Sequence, residues 1–290
     1  MKYFNPFFLA LACAATAIAA VDRAQLAAAR ALYDTVGKSA EAQQAFETIA
    51  TADPQCAEAE YFLAQLALRR DDDDKARVYA DKAVALAPDS ADAQHTFGDA
   101  YGRATQKASV FSKLGLAKKS LAAYQRAVEL APANVDFHQS LFDYYRNAPG
   151  IAGGGSDKAL AEAAIIKKLD ANRGRLAFAQ LYIADNKVDL AFSEYDEVLK
   201  TSPDDYSALY QIGRLAAVSG QALDRGLASL RHCLDLTPPP NQPLHAAAQW
   251  RIGNLLEKKN DPAGARAAYE ASLKLDPKFS QAADALKKLK

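Results

Sequence analysis

The sequence predicts an all-α chain: a right-handed α-solenoid of about seven helical hairpins ending in a capping helix. Three observations carry this. Prolines at Pro54, Pro88, Pro132, Pro203, Pro238 and Pro277, with Ala171 standing where a seventh would fall, mark off units on a 34-residue ruler set by Pro54 and Pro88. Upstream of most closures lie a small residue, a bulky one and another small or apolar one at helical spacing, as in Ala42/Phe46/Ile49, Ala76/Ala80/Ala83, Ala191/Tyr195/Val198 and Ala265/Tyr269/Ser272. Earlier in each clear unit comes a large-then-small pair: Leu63-Ala64, Phe97-Gly98, Phe178-Ala179, Ile212-Gly213, Ile252-Gly253. Small residues let two helices approach closely, and bulky ones fill the groove between them.

The unit from Ala57 to Pro88, AEAEYFLAQLALRRDDDDKARVYADKAVALAP, shows the pattern most plainly: two apolar-periodic stretches flank an aspartate-rich break. A 34-residue helix–turn–helix period with a closing proline resembles the tetratricopeptide repeat. The resemblance covers nearly everything after residue 20, and repetition rather than any single copy gives it weight. Its glycine-rich loop at Asn147 to Asp157, NAPGIAGGGSD, resembles one found in exported bacterial members of that family. A solenoid grows linearly, so a single repeat domain over residues 21–290 is expected.

The elements follow in order. Residues 1–20, MKYFNPFFLALACAATAIAA, combine one lysine, an apolar run and an A-x-A ending, which reads as a secretory signal cleaved near Ala19 and Ala20. A cleaved leader predicts a mature chain outside the cytoplasm, in the periplasm. Lipid attachment at Cys13 is disfavoured, because Ala10 stands where a lipoprotein signal wants leucine. The first unit follows, alanine-rich and broken at Gly37. In the second, Asp71 to Asp74 precede a helix start, where carboxylates favour the positive dipole end and cap free N–H groups. A calcium loop would need alternating ligands, a glycine and a distal glutamate.

The third unit spans 44 residues between prolines rather than 34, the excess falling in GRATQKASVFSKLG. The fourth contains Asn147 to Asp157, NAPGIAGGGSD. A glycine run before a helix can cradle phosphate. Here no strand precedes it, no lysine follows Gly155, and Asp157 would repel an anion. The fifth and sixth units close at Pro203 and Pro238, and TPPPNQPLH then forms a proline-rich elbow expected to be stiff and extended. The seventh unit closes at Pro277, and residues 278–290 read as the capping helix, apolar on one face and lysine-rich at its end.

Lys+Arg and Asp+Glu are both 35, so nothing global points to nucleic acid or an anionic membrane, and no segment of the mature chain is expected to span one. Cys56 and Cys233 lie about five repeats apart, too far to pair in a stack where each repeat touches its neighbours. His95, His138, His232 and His245 have no ligand spacing and read as helix-surface residues. No HExxH, paired CxxC or GxSxG motif is present. No cofactor, metal or catalytic residue is therefore expected, and the chain reads as a non-enzyme.

What the resemblance implies is partner binding on the face built from the first helix of each unit. Carried over residue by residue, that face holds Tyr61, Gln65 and Arg69; His95, Asp99 and Arg103; Gln139, Asp143 and Arg146; Tyr210 and Arg214; Trp250, Asn254 and Lys258. Spacings of four and eight return to one helical side. Aromatic anchors among polar residues suit an extended peptide or a partner helix. The family's lysine–asparagine–arginine clamp for a C-terminal carboxylate is not reproduced, so a chaperone tail is not implied. A structural or assembly role in an envelope complex, through the convex face and inserted loops, is the alternative; an enzyme with a site shared among repeats is a remote one.

Overall fold

The computed structural model describes residues 23–289; the proposed leader, with Cys13, Ala19 and Ala20, lies outside the described residues, as does Lys290. Fifteen α-helices and one short 3-10 turn, Gly150–Ala152, form among the described residues, with no strand. Seven helix pairs succeed one another: α1 (Arg23–Asp34) with α2 (Ser39–Ala52), α3 (Ala57–Arg69) with α4 (Asp73–Leu86), α5 (Ala91–Lys107) with α6 (Val110–Leu130), and α7 (Val135–Asn147) with α8 (Ser156–Leu169). Then come α9 (Ala171–Ala184) with α10 (Val188–Thr201), α11 (Tyr206–Ser219) with α12 (Leu223–Asp235), α13 (His245–Lys258) with α14 (Pro262–Leu275), and a last helix, α15 (Ser280–Lys288). The chain divides into two compact units after Pro132, the first holding α1 to α6 and the second α7 to α15.

The small–large code works as a contact between the two helices of a pair. A Cβ on Gly98 would lie 2.5 Å from the Tyr124 ring, one on Gly213 2.2 Å from Leu230, and one on Gly253 2.3 Å from the Tyr269 ring. Each glycine is the small member of its large–small pair, and each bulky partner sits in the second helix. The flanking small positions are sealed: Ala42, Ala76, Ala80, Ala191, Ala265 and Cys233 have no exposed surface. Serines there donate to first-helix carbonyls, Ser120 to Gly98 and Ser272 to Ala246, both at 2.7 Å, so burying the hydroxyl leaves nothing unpaired.

Left-handed residues make most of the turns inside the hairpins. Gly37, Asp71, Gly153, Asn186, Gly220 and Asn260 all have positive φ at the joint between first and second helix. Asp72, Asp205 and Asp261 then cap helix starts by accepting from Lys75, Ala208 and Gly264 N–H groups. The capping expected of the four-aspartate run is thus made by Asp72, while Asp73 is taken up by the next hairpin.

The third hairpin spends its extra residues on helix. α5 has 17 residues and α6 has 21, against 13 and 14 in α3 and α4, and only Ala108 and Ser109, both extended, join them. In the second unit, Asp170 alone separates α8 from α9 and caps the latter through the Arg173 N–H, where other units close with a proline-containing link. The elbow between α12 and α13 corrects an expectation: it is not extended throughout. Gln242 N–H donates to the Pro239 carbonyl across a turn with Asn241 at φ 64°, and the Tyr206 hydroxyl pins the Pro243 carbonyl at 2.6 Å. α15 packs on α14 through the buried Ala282, with Phe279 and Leu286 alongside.

Candidate functional site

In the first compact unit the face of α3 and α5 is a linked polar row. Gln65 donates to the Thr96 hydroxyl at 2.6 Å, joining the two helices. The Tyr124 hydroxyl donates to Asp99 Oδ1 at 2.7 Å, and His95 Nδ1 lies 3.6 Å from Asp99 Oδ2. Burial holds the Asp99 carboxyl above the ordinary range despite the nearby His95 and the tyrosine bond. The two arginines proposed from sequence are staples between hairpins. Arg69 donates to the Tyr33 carbonyl with its guanidinium 3.8 Å from the Tyr33 ring centre. Arg103 donates to the Leu68 carbonyl at 2.6 Å and also pairs with Asp71 and Asp73.

The accessible part of this face lies one turn towards the helix starts. Arg30, Glu58, Tyr61, Phe62, Ser90 and Asp92 line an open cleft of about 390 Å³ together with Ala57, Ala87 and Ala93. Arg30 pairs with Glu58 across it. Burial, reinforced by Asp92, raises the Tyr61 phenol to about 12, so it remains a hydrogen-bond donor at neutral pH. Of these residues the sequence singles out only Tyr61. Glu58 and Asp92 sit three residues before Tyr61 and His95, so one more turn of the same helical row would have found them.

In the second unit the proposed residues fare unevenly. Gln139 donates to Asp143 at 3.2 Å and Arg146 donates to the same carboxylate at 3.1 Å, a row along α7. Tyr210 is a correction: at 5% exposure it belongs to the core formed by Ile212, Leu215 and Leu230, and presents no ring to a partner. Arg214 donates to Gln211 at 2.7 Å. Trp250 is half-buried, 5.9 Å from the Phe279 ring centre and covered by the Arg251 guanidinium at 4.1 Å. Asn254 accepts from Tyr269, and Lys258 is exposed.

The glycine segment is closed upon itself. Gly153, Gly154 and Gly155 N–H groups donate to the Gly150, Pro149 and Tyr145 carbonyls, the Tyr144 hydroxyl holds Ala152, and Lys158 caps the Gly153 carbonyl. Those amides are committed, which is the physical reason the loop makes a poor phosphate cradle. A Cβ on Gly154 would lie 1.8 Å from the Ala148 carbonyl oxygen, so glycine is needed there for packing.

His138 corrects another expectation, being buried with Nδ1 2.7 Å from Glu162 rather than on the surface. His232 faces Asp204 at 2.8 Å and His245 the Leu236 carbonyl at 2.8 Å. Cys56 and Cys233 are free thiols. Among the described residues, no group of three or more His, Cys, Asp or Glu is placed to hold a metal ion, and no helix is long and apolar enough to cross a membrane.

Models of the tetratricopeptide repeat match residues 26–91, 104–134 and 246–279, in both compact units. The chain belongs to the tetratricopeptide-repeat family. Among solved structures, a tetratricopeptide-repeat protein of Parabacteroides merdae is similar with a TM-score of 0.64 and 14% identity, over 92% of this chain and 98% of its own. PilF of Pseudomonas aeruginosa is similar at 0.54 and 13% identity over 80% and 97%. A thermophilic family member from Thermus thermophilus is similar at 0.51 and 22% identity over 73% and 98%. No curated protein matches in sequence. At these identities the structural likenesses speak for the fold. Tetratricopeptide-repeat proteins generally mediate protein–protein interaction, and the fold typically serves as a non-enzymatic scaffold.

Proposed function

We propose that this tetratricopeptide-repeat protein is a non-catalytic scaffold that holds an extended peptide or a partner helix on the first-helix face, and that it does so in the cell envelope after export. The observation that carries the reading is the cleft in the first compact unit, where a half-buried tyrosine lies between Arg30, Glu58 and Asp92. A ring flanked by charges of both signs suits a peptide segment, with the aromatic as anchor and the charges selecting register. The polar row of Gln139, Asp143 and Arg146 offers a second, separate contact of the same kind.

The deciding experiment is a pull-down from envelope extract with a chain beginning at Val21, followed by titration of the captured partner. Tyr61→Ala should weaken binding about tenfold or more, and Arg30→Glu should alter its salt dependence, with the far-ultraviolet spectrum unchanged. Tyr210→Ala is the wrong probe, since removing a core ring costs stability. A partner unaffected by both changes would shift the reading to an assembly role for the long third hairpin, whose length beyond its neighbours favours that alternative. Export is tested by N-terminal sequencing of protein recovered from cells: a start at Ala20 or Val21 supports it, and retention of Met1 or a lipid on Cys13 refutes it.

A further inference from the structure

The end of the third hairpin combines charge of one sign with exposed apolar side chains. Between Asp99 and Glu129 the chain has six basic residues and no acidic one, within a protein whose charges otherwise balance at 35 and 35. Where α5 turns into α6, Val110 is 82% exposed and Phe111 99%. α5 runs four residues longer than α3, which carries the turn on the order of 6 Å further along the helix axis. Phe111 so placed buries almost nothing in the chain itself, and Val110 little.

We propose that this tip is a peripheral docking element for an anionic lipid surface, with Phe111 and Val110 entering the headgroup layer and Lys113, Lys118 and Lys119 facing the lipid charge. Lys113 and Lys118 have no ion-pair partner among the described residues, whereas Arg103, Lys107 and Arg126 are paired with aspartates, so the uncompensated charge is concentrated on the α6 side of the turn. Lys119 lies over the Tyr101 ring, which leaves its charge unneutralised. Lys118 follows Phe111 by seven residues, nearly two helical turns, which sets it on the same side about 10 Å back from the tip. That is within reach of an anionic surface potential at physiological salt.

The shape of the feature selects a bilayer over a protein partner. An apolar pair exposed at the end of a helical hairpin can enter a fluid headgroup layer, as Phe and Leu do on interfacial helices, without needing a matching pocket. Cations spread along the start of α6 match a laterally continuous negative sheet better than a single acidic site. One short apolar tip with a basic patch gives reversible attachment rather than insertion. This is separate from the cleft at Tyr61, and either can fail without the other.

The test is flotation of the chain beginning at Val21, which keeps every described residue and removes the apolar leader, with vesicles of phosphatidylglycerol and phosphatidylcholine against vesicles of phosphatidylcholine alone. The chain should float with the anionic vesicles, at least about tenfold less with the neutral ones, and lose binding as salt rises. Phe111→Ser should reduce binding about tenfold, and Lys113→Glu with Lys118→Glu should do so independently, each with an unchanged unfolding midpoint because these side chains are exposed. Equal binding to both vesicle types, no binding to either, or binding indifferent to both sets of changes would overturn the proposal. So would capture of an acidic protein through the tip by a chain that ignores vesicles.

Discussion

The Tyr269 hydroxyl donates to Asn254 Oδ1 at 2.9 Å while the ring of the same residue fills the space that a Cβ on Gly253 would need. One side chain thus fixes both the closeness of α13 to α14 and the orientation of a polar residue on the first-helix face. Tyr124 does the same in the third hairpin, packing against Gly98 and bonding Asp99. Part of the row that helical spacing assigns to a partner is therefore held from behind by the second helix.

Gly253→Ala should cost about 1–3 kcal/mol, because a ring cannot step aside from a Cβ 2.3 Å away as a flexible chain end can. Gly115→Ala is the control with opposite sign: nothing lies within 4 Å of its Cβ position in α6, so removing glycine from a helix should stabilise by about 0.5–1 kcal/mol. Urea denaturation of both variants checks the pair.

Ala80 has no exposed surface and packs among Ala64, Ala67 and Ala76. Ala80→Asp should destabilise by on the order of 3–5 kcal/mol, since an unpaired carboxylate would replace a methyl in a sealed contact. A loss below about 1 kcal/mol in the same urea assay would contradict the packing described.

Asp73 pairs with Lys107 at 2.6 Å and Arg103 at 3.0 Å, and these cations hold its carboxyl below the ordinary range. The folded value is lower than the unfolded one, so the contribution is complete above about pH 4 and fades as pH falls through the depressed value. Asp73→Asn should cost about 1 kcal/mol at pH 7, with the deficit shrinking below about pH 4. Asp99 has the opposite sign: burial raises its carboxyl, so its contribution is lost as pH rises through that raised value. Comparing wild type, Asp73→Asn and Asp99→Asn across pH separates the two.

Cys233 is sealed, and burial raises its thiol to about 12, whereas Cys56 is half-exposed. In a Cys13→Ser background, a thiol reagent at about pH 8 should label one cysteine in the native protein and two in urea. Prompt labelling of Cys233 without denaturant would mean that α11 and α12 open locally.

The helix–turn–helix pattern was legible because its determinants are short-range: a glycine and the tyrosine or leucine that meets it lie within one hairpin, on helical periods a sequence displays. The candidate site was less legible, since it depends on neighbours a full repeat away. Arg69 and Arg103 keep the spacing of a surface row, yet their partners, Tyr33 and Leu68, lie 36 and 35 residues earlier. Tyr61 and Tyr210 occupy equivalent places in their helices, but one borders a cleft and the other is core, a difference set by the side chains packed around each. His138 departs from its surface expectation in a similar way, buried with its ring meeting Glu162 on the following helix.

The lengthened hairpin respects angular phase. Four residues added to α5 are close to one helical turn and seven added to α6 close to two, at about 3.6 residues per turn. Growth by whole turns keeps each side chain below it pointing as before, so Gly98 still meets Tyr124 although ten residues have entered the repeat. An insertion of two residues per helix would have swung those faces by roughly half a circle and broken the contact. The elongation therefore behaves as a detachable module: excising one turn from α5 and two from α6 should shorten the arm and leave its base paired.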